Sequence, residues 1–142
     1  MRKAKEWTAL FGVGFVGYPI LELLWRKYTH WSMALTGGLC FVVLYQLFGR
    51  FAHWKLWKKC LLGSLAVTCI EFLVGCVVNL KLRLNVWDYS ARPVNLWGQV
   101  CLLYSMLWGL LCIPLCGLCT KIREVVFPHM RKRKKGSRSG LN

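Results

Sequence analysis

Four apolar runs dominate this chain of 142 residues, at roughly Trp7–Leu24, Trp31–Gly49, Cys60–Leu80 and Leu96–Cys119. Each is close to the roughly 20 residues that a helix needs to cross the hydrocarbon core of a bilayer. In lipid, only a helix or a closed barrel can satisfy backbone N–H and C=O groups. The period-two alternation of barrel strands is absent. The sequence therefore predicts an all-α membrane protein with four transmembrane helices. The link at 26–30 is short, so the first two spans form a helical hairpin, and the last two form a second one. Residues 1–120 make one membrane domain, and residues 121–142 a basic cytoplasmic tail expected to be disordered. A cleavable signal is not the reading for the first run. It is long, it contains Glu22, and Trp25-Arg-Lys follows it where a small-residue cleavage site would stand.

Charge sets the orientation. Twenty Lys and Arg face five Asp and Glu, a formal net charge of +15. Such a balance points to nucleic acid or to an anionic membrane surface. The basic residues flank the apolar runs, which selects the membrane and sets nucleic acid aside. With a cytoplasmic N-terminus, fifteen of the twenty basic side chains fall inside. The positive-inside rule thus places both termini in the cytoplasm and the protein in the plasma membrane as a multi-pass chain. The tail cluster Arg131–Arg138 is suited to anionic lipid. The segment Arg50–Lys59 interleaves basic residues with Phe51, Trp54 and Trp57, as a short helix lying on the membrane surface would.

The eight cysteines lie in or beside the spans, which argues against an extracellular disulfide framework. Cys112, Cys116 and Cys119 share one helix face. No histidine or second cysteine pair accompanies them, so packing is expected rather than metal binding, and no cofactor is implied.

Polar residues within the spans are few. The first span carries Gly12, Gly14 and Gly17, which suit close helix approach, then Pro19, which suits a kink. Glu22 follows near the outer end, one turn before Arg26, so the two can pair. Glu71 lies well inside the third span, where a charge costs on the order of 2.5–3.5 kcal/mol on insertion scales. Gln46, Gln99, Asn79, Ser105 or water are its candidate partners. Two offsets suggest a parallel repeat of hairpins, as in some transporters. A shift of 49 matches Gly14 with Gly63 and Glu22 with Glu71; a shift of 61 matches Leu35, Gly37 and Cys40 with Leu96, Gly98 and Cys101.

The stretch between the third and fourth spans gathers the remaining polar chemistry. Trp87, Asp88, Tyr89 and Ser90 precede Pro93, and Asn95 is placed to cap the fourth helix. Gln99 follows. On composition alone the favoured reading is an Asp88–Arg92 ion pair within the loop, with Asn95 serving only as a cap. This stretch, Trp87-Asp-Tyr-Ser with Pro93 and then Asn95-Leu-Trp-Gly-Gln-Val-Cys-Leu, resembles the hallmark of the ABC-transporter permease family of the CmpB type. The glycine-rich first span ending in Glu22, and Glu71 in the third, fit that family's outline. The resemblance covers nearly the whole chain. It implies a transport component that works with a separate ATPase subunit, since the chain carries no Walker motif. Four spans are few for a solute pathway, so an oligomer is expected.

Three readings follow for function. In the first, Glu22, Glu71, Asp88 and Asn95 line an outward-facing cavity of a transport component, with Trp87, Tyr89, Ser90 and Gln99 as further candidates to bind substrate or ion. In the second, a membrane-embedded enzyme uses Glu71 and Asp88 as acid and base on a lipid-linked or amphipathic substrate. No nucleophile paired with a base supports it, so catalysis is the lesser expectation. In the third, the chain is a non-catalytic accessory subunit.

Overall fold

The computed structural model describes residues 2–128. Four long helices account for most of them. Helix α1 spans Arg2–Arg26 and α2 spans Trp31–Arg50. Helix α3 spans Leu56–Gly75 and continues as a wider, π-helical turn over Cys76–Lys81. Helix α4 spans Leu102–Lys121 and ends in a second π-helical stretch over Ile122–Val126. All four are long and apolar enough to cross a membrane. The expectation of a four-helix membrane protein is met.

Two boundaries differ from the sequence reading, each for a local reason. Helix α4 begins at Leu102, six residues later than expected. Residues Asn95–Leu96 (β1) and Val100–Cys101 (β2) pair as a minimal antiparallel ribbon instead. Asn95 is therefore not the cap of α4; Cys101 occupies that position and makes no side-chain cap. Helix α3 begins earlier, at Leu56, and takes Lys58 and Lys59 into its first turns. The expected surface helix at Arg50–Lys59 does not form. The chain turns at 51–54, where the Phe51 and Trp54 rings lie 4.3 Å apart. The last helix also carries on beyond residue 120, so the start of the expected tail is helical. The cluster Arg131–Arg138 lies outside the described residues.

Packing follows the two hairpins. Helix α1 lies on α2, and α3 on α4, while α2 also touches α3 and α4. Small residues set the approach in the first hairpin. An added Cβ at Gly14 would collide with the Gly37 carbonyl, and one at Gly37 would collide with Tyr18. Gly12 and Gly17 face open space, so only one of the three glycines in α1 serves the contact. In the second hairpin Gly63 makes room for the Cys112 thiol, and the Ser64 hydroxyl donates to the Ser105 carbonyl. Cys112, Cys116 and Cys119 are buried in the main cluster with Phe41, Leu44 and Phe48. Past the C-terminal end of α4, Arg123 donates to the Tyr45 carbonyl at 2.7 Å and lies 4.3 Å over the Tyr45 ring. Helix α1 runs through Pro19 without interruption. Of the two repeat offsets, the first pairs helix with helix. The second pairs α2 residues with Leu96, Gly98 and Cys101, which precede α4.

The glycine contact can be tested directly. Gly14→Ala places a methyl against a backbone carbonyl that cannot swing away, and overpacking of this kind costs about 1–3 kcal/mol. Thermal unfolding in detergent should show a clear loss for Gly14→Ala and essentially none for Gly12→Ala. Equal behaviour of the two variants would mean that the α1–α2 approach is looser than described.

Candidate functional site

Glu71 sits on α3 with 3% of its surface exposed. Its Oε1 accepts from the Tyr18 hydroxyl of α1 at 3.1 Å, and its Oε2 accepts from Trp108 Nε1 of α4 at 2.9 Å. One carboxyl thus joins three helices, through two donors that sequence reading missed. The candidates Gln46, Gln99, Asn79 and Ser105 all act elsewhere. Gln46 is exposed, Asn79 and Gln99 bond each other, and Ser105 meets Thr68 and Ser64. Tyr18 and Trp108 were passed over because each sits in an apolar run where an aromatic reads as packing. The available signal was spacing: Tyr18 lies one turn before Glu22 on the same face of α1.

Glu22 stands near the C-terminal end of α1, 9% exposed, with its Oε2 3.5 Å from Arg26 Nη1. This is the pair expected from the four-residue spacing. The Tyr18 phenol also interacts with Glu22, so it links the two acids. Arg26 donates in addition to the Val86 carbonyl at 3.1 Å, which ties the end of α1 to the loop between α3 and α4.

Beside these groups α1 and α4 stand apart. The gap between the C-terminal half of α1 and the N-terminal half of α4 is a cavity of about 290 Å³. Tyr18, Glu22, Arg26, Tyr89, Tyr104 and Trp108 supply its polar and aromatic lining. A second cavity of similar size continues it along the same two helices, and its lining is apolar throughout, from Val13 and Leu21 to Leu115 and Leu118. Tyr18, Leu21, Trp108 and Leu111 border both. The two cavities form one lateral groove, polar at the end next to the 82–101 loop and apolar further along. Glu71 lies behind its wall, covered by Tyr18 and Trp108.

The loop at 82–101 closes this end of the groove, and most of its polar groups are spent on its own framework. Asn79 at the end of α3 accepts from the Val86 N–H at 2.7 Å and donates to Gln99 Oε1 at 2.9 Å. The buried Trp87 indole donates to the Gln99 carbonyl at 2.8 Å. Asn95 donates to the Ser90 and Arg92 carbonyls and accepts from the Gly98 N–H at 3.0 Å. Gly98 has φ +70°, and a side chain there would meet the Asp88 carboxylate, so this turn requires glycine. Gly75 gives the loop its seat on α3, since a Cβ there would crowd Gln99 and Trp87.

Asp88 is exposed and accepts from the Ser90 N–H at 2.9 Å. That backbone N–H, together with the Ser90 hydroxyl, holds the Asp88 carboxyl below its ordinary value. Asp88 is thus an ionised turn residue, and Arg92 does not pair with it. Arg92 lies 5.9 Å over the Tyr104 ring, which in turn stacks on Tyr89 at 4.7 Å. Burial, reinforced by the Glu71 charge, pushes the Tyr89 phenol above its ordinary value, so it stays a neutral hydroxyl. Of the eight sequence candidates, Glu22 and Tyr89 line the groove and Glu71 stands directly behind it. Trp87, Asp88, Ser90, Asn95 and Gln99 belong to the loop framework and do not line the groove.

The helices and their apolar lengths define a class, the multi-pass helical membrane proteins. Within it the chain is placed by a family model described as "Putative ABC-transporter type IV" (ABC_trans_CmpB), which matches residues 7–135. That is nearly the whole chain, and the protein belongs to this family. No curated protein and no solved structure matches it.

The loop framework makes a specific demand. Asn79→Ala leaves the Val86 N–H and the Gln99 carboxamide oxygen without their partner, and each buried group so orphaned costs about 1–3 kcal/mol. Limited proteolysis should cut the 82–101 loop faster in Asn79→Ala than in the parent. Unchanged cleavage would mean that other contacts hold the loop.

Proposed function

We propose that this protein is a membrane-embedded component of an ABC-type transporter, with its solute site in the groove between α1 and α4 near the outer face. Glu71 and Glu22 are the site's acids, Tyr18 and Trp108 hold the first of them, and Tyr89 covers the outer end. The loop residues Trp87, Asp88, Ser90, Asn95 and Gln99 act as the lid's framework. Both termini face the cytoplasm in the plasma membrane, the basic tail meets anionic lipid, and two or more copies assemble with a separate ATPase.

One observation carries this reading. A buried carboxyl is held by donors from two other helices, directly behind a groove that opens sideways. An acid at membrane depth is expensive to insert and tends to mark a pathway for ions or solutes. Here its position beside a cavity gives that tendency a place to act. Family membership supports the transport context. The enzyme reading has less support, because no serine, threonine or histidine lies in the groove lining among the described residues.

Affinity capture of the tagged full-length protein in mild detergent should recover a nucleotide-hydrolysing subunit in stoichiometric amount. Recovery of the protein alone, at expression levels where its own copies still associate, would overturn the ABC-component reading.

Orientation has its own test. Ala91→Cys in the outer loop should react with a membrane-impermeant maleimide on intact cells, whereas Ala52→Cys at the 51–54 turn should react only after permeabilisation. The parent protein serves as control for its native thiols. The reverse pattern would invert the topology.

A further inference from the structure

The groove's lining is specific enough to name a substrate class. Its polar part is lined by the aromatic side chains of Tyr18, Tyr89, Tyr104 and Trp108, together with Trp25. Glu22 opens into the same space, and Glu71 lies one side chain behind. Aromatic faces carry negative potential and attract cations that lie within about 6 Å of the ring centre. An aromatic box beside carboxylates is the usual receptor for an organic ammonium or related cation.

The charges of the site favour the same sign. Arg26 is the one cation among the lining residues of either cavity, and it is engaged twice, by Glu22 at 3.5 Å and by the Val86 carbonyl. Glu22 and Arg26 therefore largely cancel. Glu71 has only neutral donors, a phenol and an indole. An ionised Glu71 has no protein countercharge of its own, and a cation in the groove would supply one. An anion would meet an occupied guanidinium and two acids.

The remainder of the groove describes the rest of the ligand. Below Trp108 its walls are apolar side chains of α1, α2 and α4. The groove opens between two helices that do not pack together, and the residues at its outer edge, Leu24 and Trp25, are 78% and 70% exposed. Exposed apolar side chains at this depth face lipid. A ligand could enter from the membrane without crossing the loop.

We propose that the α1–α4 groove binds lipophilic organic cations, taken laterally from the membrane, with the cationic centre among the aromatic faces beside Glu22 and Glu71 and the apolar body in the slot towards Leu115. This deepens the transport reading, since it names the solute of the same site, but it stands or falls by binding alone.

The test uses the purified full-length protein in detergent micelles with two probes of nearly the same shape and opposite charge, tetraphenylphosphonium and tetraphenylborate. Saturable binding of tetraphenylphosphonium is expected, with tetraphenylborate failing to compete. Glu71→Gln should weaken the phosphonium at least tenfold. Leu111→Trp, which fills the groove and leaves both acids in place, should weaken it as well and serves if Glu71→Gln does not fold. Absence of saturable phosphonium binding, equal binding of the borate, or full binding by a folded Glu71→Gln and by Leu111→Trp would each overturn the inference. Failure to capture an ATPase would sink the transporter reading while leaving cation binding intact, so the two can fail separately.

Discussion

The structure depends on how one acid is accommodated in an apolar interior. Glu71 is buried, and a carboxyl in that position must collect donors from wherever the fold can bring them. It takes one from α1 and one from α4, and α3 supplies the acid itself. Helices α1 and α4 do not otherwise pack together. The Tyr18–Glu71–Trp108 chain is thus a polar strap across the floor of a gap. In lipid the hydrophobic effect gives little preference for helix association, so close packing and interhelical hydrogen bonds carry more of the specificity. The Gly14–Gly37 contact fixes the first hairpin, the Ser64–Ser105 bond fixes the second, and the Glu71 cluster sets one hairpin against the other.

The gap between α1 and α4 follows from the same arrangement. Four helices can close into a bundle with every neighbour pair in contact. Here α2 occupies the inside position, with over half of its span buried, while α1 and α4 are each largely exposed along theirs. Tyr18 of α1 and Trp108 of α4 meet across the gap, with ring centroids 5.5 Å apart, and both donate to the same acid. The buried carboxyl and the border of the cavity thus share the same two side chains.

Much of the fold was legible in the sequence, and the reasons it was legible also explain what was missed. Apolar length fixes the number of spans because lipid thickness is an external ruler. It does not fix where a helix begins once the chain reaches the interface. Leu96 is apolar enough to belong to a span, yet Gly98 with its positive φ and the β1–β2 pairing delay α4 until Leu102. The four-residue spacing gave the Glu22–Arg26 pair, since that contact lies within one helix. The partners of Glu71 come from residues 53 and 37 positions away, and nothing local marks Tyr18 or Trp108 among twenty aromatic side chains. The polar loop attracted notice for the right composition. Its groups turned out to satisfy one another, because a loop that must hold a fixed shape at the membrane surface consumes its own donors and acceptors.

That consumption bears on how the central motif should be understood. Tryptophan, aspartate, serine and asparagine are the residues one would choose for a binding site, and equally those one would choose to lock an irregular loop. The hydrogen bonds decide between the two. Asn95 uses both of its polar atoms on backbone groups of its own loop, and Asp88 is turned to the Ser90 N–H. Only Tyr89 of the motif reaches the groove, stacked on Tyr104 and held as a neutral phenol. A loop bonded to itself at that many points has few polar groups left to offer a ligand. The motif is better explained as a framework that roofs the α1–α4 groove than as a binding surface of its own, and its contribution to the groove lies in where it holds Tyr89.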